Sequence, residues 1–559
     1  MPKKFITSAL PYVNNQPHLG NIVGSVLGSD VYNRYCRKSG EETIFICGTD
    51  EYGTATEMEA IKQNVHPREI VEKNRALHKK VYDWINCEFD FFGQTSCPEH
   101  TKLVQEIFRR CYKNGYFEIQ EVEQFYCEEC AQFLADRYVE GTCGLCGYLN
   151  ARGDQCDQCG RCLRNNDLKD PKCVICSGVP LVRSSNHLFL RLDLLQNKIK
   201  ECMDKKKYGW SENAINIYNE WLEKDLISRC MTRTLKYKWG VPVPLEGFED
   251  KVFYVWFDAV IGYLTFLSQI REDWEEWLKS AEFIQFMGKD NVFFHSFIFP
   301  GILLASDSNS PTVDVINSTE YLTFNKEKFS KSRGIGIFGM DLVQKDLGPS
   351  CLWRFYLIKR RPETKDSDFN ILDFINVSNS DLLGNIGNLC QRILKYIAKN
   401  CGSKIAVDTI DEEDQKFIDN VNHLLDEYHG CMKKISLREG LNKAVEISSV
   451  TNKYIQDLQG KKDKIARGFQ IGYSAIVFLA HILEPFIPET SKKIFRMCKA
   501  ESGIFPSRFE IIPKASISSD IHILFNPLTE EQLANLQSYV QTESKPDISA
   551  IEGVEKLAL

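Results

Sequence analysis

Apolar runs alternate with helical periodicity along the first part of the chain. Phe5 to Ala9 is short and apolar, and Pro11 and the Asn14-Asn15 pair break it, which predicts a buried strand ending in a turn. From about Leu19 to Cys36 the apolar residues recur at helical spacing. Thr43 to Cys47 repeats the strand signal, and Gly48-Thr49-Asp50 again leads into a helical pattern. Such alternation predicts an α/β fold with a parallel sheet, whose ligands gather at the carboxyl ends of the strands. Strand patterns at Val252 to Trp256, Phe283 to Met287 and Thr312 to Ile316 resume the sheet after a long interruption. Beyond about Asp373 helical periodicity dominates, with few strand signals before Phe509. The expected organisation is the first half of a sheet domain over 1–114, an insertion over 115–230, the second half over 231–372, a helical domain over 373–514 and a tail over 515–559.

A chain of 559 residues suits three or four such units at roughly 150 residues each. No apolar run reaches the roughly 18 residues a membrane span needs. The nearest candidates, Val252 to Leu267 and Val292 to Ala305, carry Asp258 and His295. Met-Pro-Lys-Lys-Phe enters a strand pattern with no apolar leader segment, which predicts a cytoplasmic protein with no membrane partner. The net charge of −7 argues against nucleic acid until it is divided along the chain. Ile386 to Lys514 holds 20 Lys/Arg against 16 Asp/Glu, and Lys433 to Arg467 holds 9 against 4. Ala515 to Leu559 holds 2 against 7, an acidic tail. The basic helical stretch can meet phosphates, although an excess of that size also suits an ordinary solvated helix face.

Nine of the 21 cysteines fall between Cys127 and Cys176. Four pairs have Cys-x-x-Cys spacing: Cys127/Cys130, Cys143/Cys146, Cys156/Cys159 and Cys173/Cys176. Two residues between thiolates let both face one tetrahedral ion, and two such pairs close a structural Cys₄ site, so eight thiolates suit two zinc ions. Gly141, Gly147, Gly160 and Gly178 suit the turns of such knuckles. Spacing leaves the pairing open. The expectation is that the inner four (Cys143, Cys146, Cys156, Cys159) share one ion and the outer four the other, with Cys162 a spare that could compete with Cys159.

Two short motifs point to nucleotide chemistry. Pro17-His18-Leu19-Gly20-Asn21 follows a strand and opens a helix, where free N–H groups attract phosphate. His18 can donate to phosphate oxygens, and Gly20 leaves room for a base against the backbone. Lys328-Phe329-Ser330-Lys331-Ser332, with Arg333-Gly334 after it, places lysines among small residues. That composition suits a loop closing on a leaving pyrophosphate. Alone, the first motif reads as a helix cap and the second as a solvated loop. Together, in this order and around a cysteine-rich insertion, they leave little room for coincidence.

The two motifs resemble the ATP motifs of class I aminoacyl-tRNA synthetases. Thr7-Ser8-Ala9-Leu10-Pro11-Tyr12, Cys47-Gly48-Thr49-Asp50-Glu51-Tyr52-Gly53, Tyr254-Val255-Trp256-Phe257-Asp258-Ala259 and Gly288-Lys289-Asp290-Asn291 narrow the resemblance to the methionyl-tRNA synthetases, in the eukaryotic and archaeal branch with four knuckles. It runs from about Lys4 to Phe495. It implies a Rossmann-type catalytic domain split by a zinc-knuckle insertion and followed by a helical anticodon-binding bundle. It implies ATP-dependent activation of L-methionine to methionyl-adenylate, then transfer to the 2′-hydroxyl of the terminal adenosine of tRNA(Met). His18 and Asn21 would act on the phosphates, Lys331 on the leaving pyrophosphate with Lys328 assisting, and Mg²⁺ would accompany ATP. Gly20, Gly288 and Asp290 would complete the ATP site. Asp50 would receive the methionine ammonium, and Ala9, Leu10, Tyr12, Trp256, Ala259, Tyr263 and His295 would line the side-chain pocket. Tyr263 and His295 would turn a polar hydrogen toward the thioether sulfur. Asp258 and Asp290 would meet ribose or ammonium, and Asn388 and Arg392 the anticodon.

Three positions depart from the family pattern. Asn21 stands where the broader class has a second histidine, Phe299 where members often have tryptophan, and Lys461 where a base-stacking tryptophan is usual. A non-catalytic tRNA-binding descendant of a synthetase is the main rival reading; loss of His18 or Lys331 would favour it, and both are present. A synthetase for a large branched amino acid would carry a longer insertion, and a bare zinc-ribbon protein would not carry the ATP motifs.

Overall fold

The computed structural model describes residues 1–539 except 135–137, 154–155, 157, 160–162, 164–166, 332–333, 407–408, 459 and 462–463. Gly160, Cys162, Ser332, Arg333 and the tail beyond 539 therefore lie outside the described residues.

Five strands form a parallel sheet: β1 (Lys3–Ser8), β2 (Glu42–Thr49), β3 (Phe91–Gln94), β4 (Ala281–Gly288) and β5 (Val315–Thr319), in the order β5-β4-β1-β2-β3. Phe5 pairs with Ile44 on one side and Phe283 on the other, and Ile284 pairs with Val315. The two halves of the domain thus meet at β1, where the strand order reverses direction, and a crevice opens at the carboxyl ends. The expected helix after β1 is one continuous rod in three parts, Leu19–Asn21, a π-helical Ile22–Val26, and α1 (Leu27–Lys38). Helix α2 (Thr54–Gln63) follows β2.

Two strand expectations need correction. Only Val252–Phe253 is a strand; Tyr254 turns the chain and Val255–Asp258 is helix α3. A short, wholly apolar run carries no period to separate the two states. The strand expected at Thr312 to Ile316 lies at Val315–Thr319, because the Asp314 carboxylate instead accepts the Phe283 backbone N–H at 2.8 Å.

The insertion is a long antiparallel ribbon, Phe117–Cys127 against Leu181–Leu190, with the knuckles at its far end. Glu57 of α2 docks them: its buried carboxylate accepts the Tyr138 hydroxyl and the Tyr237 backbone N–H.

After α4 (Ser350–Lys359) the chain forms a bundle of α5 (Asn388–Asn400), α6 (Glu412–Lys433), α7 (Leu437–Asp457), α8 (Ile465–Leu483) and α9 (Pro488–Met497). Among the described residues α8 alone is long and apolar enough to cross a membrane, and it is the buried centre of this bundle. Arg354, itself buried, ties bundle to sheet domain, donating to the Asp30 carboxylate at 2.7 Å and the carbonyl oxygens of Phe486 and Ile85. The segment expected as a separate tail from 515 is, as far as 539, part of this body. Lys514–Ser516 pairs with Lys404–Ala406, Leu524, Phe525 and Leu536 are buried, and a helix over Glu530–Gln537 returns to the sheet domain, where Tyr539 meets Lys345 at 2.6 Å. Net acidity concealed this because the packing rests on a few apolar residues, Ala515, Ile517, Leu524, Phe525 and Leu536, while Ile523 stays exposed.

Candidate active site

A cleft of about 800 Å³ opens at the carboxyl ends of β1, β2, β4 and β5. Every residue named above for methionine lines it: Ala9, Leu10, Tyr12, Asp50, Trp256, Ala259, Tyr263 and His295. His18, Gly20, Asn21, Gly288, Asp290 and Lys328 line it as well. Lys331 does not, and neither does Asp258.

Asp50 follows β2 and is held by backbone alone, its N–H donating to Pro11 O at 3.0 Å while its own carbonyl accepts from Val13 N–H. Its side chain is buried, and one carboxylate oxygen has no partner. Burial, and then the charge of Asp258, push its pKa well above the usual carboxylate range, against a Tyr52 N–H that lowers it. A buried acceptor without a donor is costly until a cation arrives. Asp258 itself is turned away from the cleft, with Oδ2 3.4 Å from His100 Nε2, while His100 Nδ1 lies 2.8 Å from Thr265 Oγ1. On the short helix α3 it is Trp256, two positions earlier, and not Asp258, that lines the cleft.

Trp256 lies flat on Phe294, with ring centroids 3.5 Å apart and planes 6° apart, and Tyr12 meets its edge. Phe294 was not foreseen in the sequence; its signal was its place next to His295 in an apolar run. Phe299 sits one layer behind, fully buried against Tyr263. His295 Nδ1 lies 2.8 Å from the carbonyl oxygen of Asn291, which can only accept, so the proton is on Nδ1. Nε2 therefore accepts from the Tyr263 hydroxyl at 2.9 Å. Burial holds the imidazole neutral, its pKa lowered to about 4. The pair thus has one hydrogen between its facing atoms, spent internally. The expected free donor toward sulfur is a hydroxyl that must be shared with His295.

On the nucleotide side, Asn21 Oδ1 accepts the His18 backbone N–H at 3.1 Å, fixing the turn into the first helix. The His18 ring stacks on Phe329, 4.6 Å away with planes 5° apart, and its Nδ1 is buried without a partner. Burial lowers its pKa to about 4, so the ring is neutral. Gly20 makes room for this ring: a Cβ there would lie 2.9 Å from His18 Cε1. Asp290 accepts the Tyr321 hydroxyl at 2.5 Å, and Lys289 and Lys328 lie over the Tyr321 ring. Lys331 instead donates to Asn15 Oδ1 at 2.9 Å, outside the cleft. Asn15 and Phe329, which hold the loop in this position, went unnoticed as site residues because their role is contact across the fold.

The eight knuckle cysteines form two groups, Cys127, Cys130, Cys173 and Cys176, and Cys143, Cys146, Cys156 and Cys159, with all sulfurs of a group within 4.8 Å of one another. This is the inner and outer grouping expected. Nearest separations of 3.4, 3.6 and 3.8 Å match the roughly 3.8 Å edge of a tetrahedron with 2.3 Å metal–sulfur bonds. Each group could hold one metal ion.

In the bundle Asn388 is exposed, while Arg392 donates to the carbonyl oxygen and Oδ1 of Asn452 at 2.9 and 3.1 Å. Lys461 is not a free charge in place of an aromatic ring: it is bound to Glu413 at 2.8 and 3.1 Å.

A family model described as tRNA synthetases class I (M) matches residues 4–394, and one described as the anticodon binding domain of methionyl tRNA ligase matches residues 406–544. The chain is 52% identical over 544 residues to a probable cytoplasmic methionine–tRNA ligase of Encephalitozoon cuniculi, covering 97% of this chain and 99% of that one. It is 43% identical over 571 residues to the cytoplasmic methionine–tRNA ligase of Mus musculus, covering 98% of this chain and 63% of that one. A crystal structure of Mycobacterium tuberculosis methionyl-tRNA synthetase bound by methionyl-adenylate superposes with a TM-score of 0.77 at 19% identity, over 94% of this chain and all of that one.

Proposed function

The chain belongs to the methionine–tRNA ligases of the class I aminoacyl-tRNA synthetases, and from that premise we propose how its residues divide the work. The observation that carries the reading is the cleft in which a buried carboxylate with one unpartnered oxygen, an aromatic wall and the His18 helix start converge. Asp50 takes the methionine ammonium, and Trp256, Tyr12, Leu10 and Ala259 enclose the side chain, whose polarizable sulfur suits an aromatic surface. The methionine carboxylate attacks the α-phosphorus of ATP and pyrophosphate leaves. The terminal 2′-hydroxyl of tRNA then takes the acyl group from the adenylate, releasing AMP. No enzyme nucleophile is needed, so catalysis is positioning and charge stabilisation. His18 and Asn21 act on the phosphates, Asp290 and Gly288 border the nucleoside, and Mg²⁺ enters with ATP, held by phosphates and water. Asn388 and Arg392 face the anticodon. The curated relatives are named cytoplasmic, and this chain is placed there with them.

ATP–pyrophosphate exchange with each standard amino acid tests the whole reading: exchange is expected with methionine, and exchange with none ends it. In the same assay Tyr263→Phe is expected to narrow the preference for methionine over norleucine by at most about fivefold, since its one hydroxyl hydrogen is shared between His295 and sulfur. An unchanged preference would remove Tyr263 from sulfur recognition.

The two cysteine groups are proposed as structural zinc sites, since four thiolates leave no open position. Elemental analysis is expected to find two zinc ions per chain, falling to one in Cys127→Ser and in Cys143→Ser separately. Loss of both ions from either variant would contradict two independent sites.

A further inference from the structure

Helix α5 carries Asn388, Arg392 and Tyr396 at steps of four, so their side chains follow one another along one face over about 12 Å. The Arg392 guanidinium is fixed at one end by Asn452 of α7, whose own Nδ2 donates to Asn385 Oδ1 at 2.9 Å, while Arg392 Nε is buried without a partner. The half-buried Tyr396 ring lies face to face on Phe469 of α8, centroids 3.7 Å apart and planes 13° apart. Aromatic pairs in protein interiors favour offset or edge-on arrangements. A face-to-face pair instead presents a flat outer surface whose orientation is locked from behind.

The neighbouring charges do not compete for the same task. Lys461, Lys464 and Arg467, at and before the start of α8, are bound by the acidic start of α6: Lys464 meets Asp411 at 2.7 Å and Arg467 meets Asp414 at 2.6 Å, while Glu413 takes Lys461. With these three cations paired, stacking and hydrogen bonding are the means this face offers for holding an unpaired base. Unpaired bases are held by aromatic faces and read along their edges by Asn and Arg.

We propose that Tyr396, backed by Phe469, is the platform on which one splayed anticodon base stacks, beside the base edges met by Asn388 and Arg392. This rests on the reading that the α5 face meets the anticodon. A stack is worth about 1–3 kcal/mol, or roughly 5- to 150-fold. Tyr396→Leu, which keeps apolar volume without a π face, is expected to lower kcat/KM for tRNA about 10- to 100-fold through KM. Tyr396→Phe is expected to stay within about threefold of the parent. ATP–pyrophosphate exchange, which needs no tRNA, checks folding. 2-Aminopurine placed in turn at each anticodon position gives a direct readout: one position is quenched on binding to the parent and to Tyr396→Phe, but not to Tyr396→Leu. If Tyr396→Leu charges tRNA normally while Arg392→Gln is impaired, the platform is wrong and the face stands. If both charge normally, the anticodon reading of α5 fails and the platform falls with it. Equal losses in Tyr396→Phe and Tyr396→Leu, or loss of exchange in Tyr396→Leu, would also overturn the platform.

Discussion

Lys331→Ala is expected to lower the rate of ATP–pyrophosphate exchange about 100- to 1000-fold while leaving methionine binding near its parent value. The magnitude is that of removing one charged donor from a position where charge develops in the transition state. The resting geometry explains why binding is spared. Lys331 stands outside the cleft, bound to Asn15 Oδ1, at the tip of a hairpin in which Ser330 and Ile335 exchange backbone hydrogen bonds at 3.0 and 2.9 Å. Gly334 and Gly336 turn that hairpin at positive φ, and a side chain at Gly336 would strike the Phe329 ring. The Phe329 ring in turn covers one face of His18. Lys331 is held here by Asn15 and would reach the phosphates only by leaving it, a move that the negative charge of ATP favours. A lysine so placed is expected to act during the reaction and not in the ground state. Stopped-flow measurement of adenylate formation with a separate methionine titration separates the two effects. A parent-level rate of adenylate formation in Lys331→Ala would remove the lysine from the transition state.

What could be read from the sequence divides along physical lines. Strands β1, β2 and β4 and the residues after them were legible because a buried parallel sheet imposes apolar runs followed by polar turns, and the functional groups sit at those turns. The cysteine spacing carried the metal chemistry for the same reason: two residues between thiolates is a local geometric requirement. Contacts made across the fold left no such trace. Nothing near Asn15 announces that it holds Lys331, nor near Glu57 that it docks the knuckles. Asp258 lies in a motif with Trp256, yet positions two apart on a helix face different ways. The helix over Glu530–Gln537 was missed although Thr529 and Gln532 form a reciprocal cap, Thr529 Oγ1 accepting Gln532 N–H and Gln532 Oε1 accepting Thr529 N–H. Net acidity outweighed a local signal that was present.

Asp50→Asn is expected to raise KM for methionine about 10- to 100-fold and, unusually for a buried substitution, to leave the unliganded protein as stable as the parent or more so. The two effects have one origin. A hydrogen-bonded charge pair with the ammonium is worth about 1.5–3 kcal/mol, and an amide keeps the shape but not the charge. Without substrate the same carboxylate has an unpartnered buried oxygen and a second buried carboxyl, Asp258, nearby. Its pKa is raised in the folded state, chiefly by burial. In the pH range above the ordinary carboxylate value, the folded chain then binds more protons than the unfolded chain at this site. Stability is lost as pH rises through that window, until the raised folded pKa is passed. Asparagine does not titrate, so the melting temperature of Asp50→Asn relative to the parent should climb as pH rises from about 4. Methionine reverses the balance in the parent by drawing the carboxylate to its charged form, so binding should release a proton wherever the free site is protonated. Calorimetry of methionine binding in buffers of different ionisation enthalpy measures that proton directly. A difference in melting temperature that shrinks with rising pH, or methionine binding that takes up a proton, would mean that Asp50 is already charged and partnered in the free enzyme.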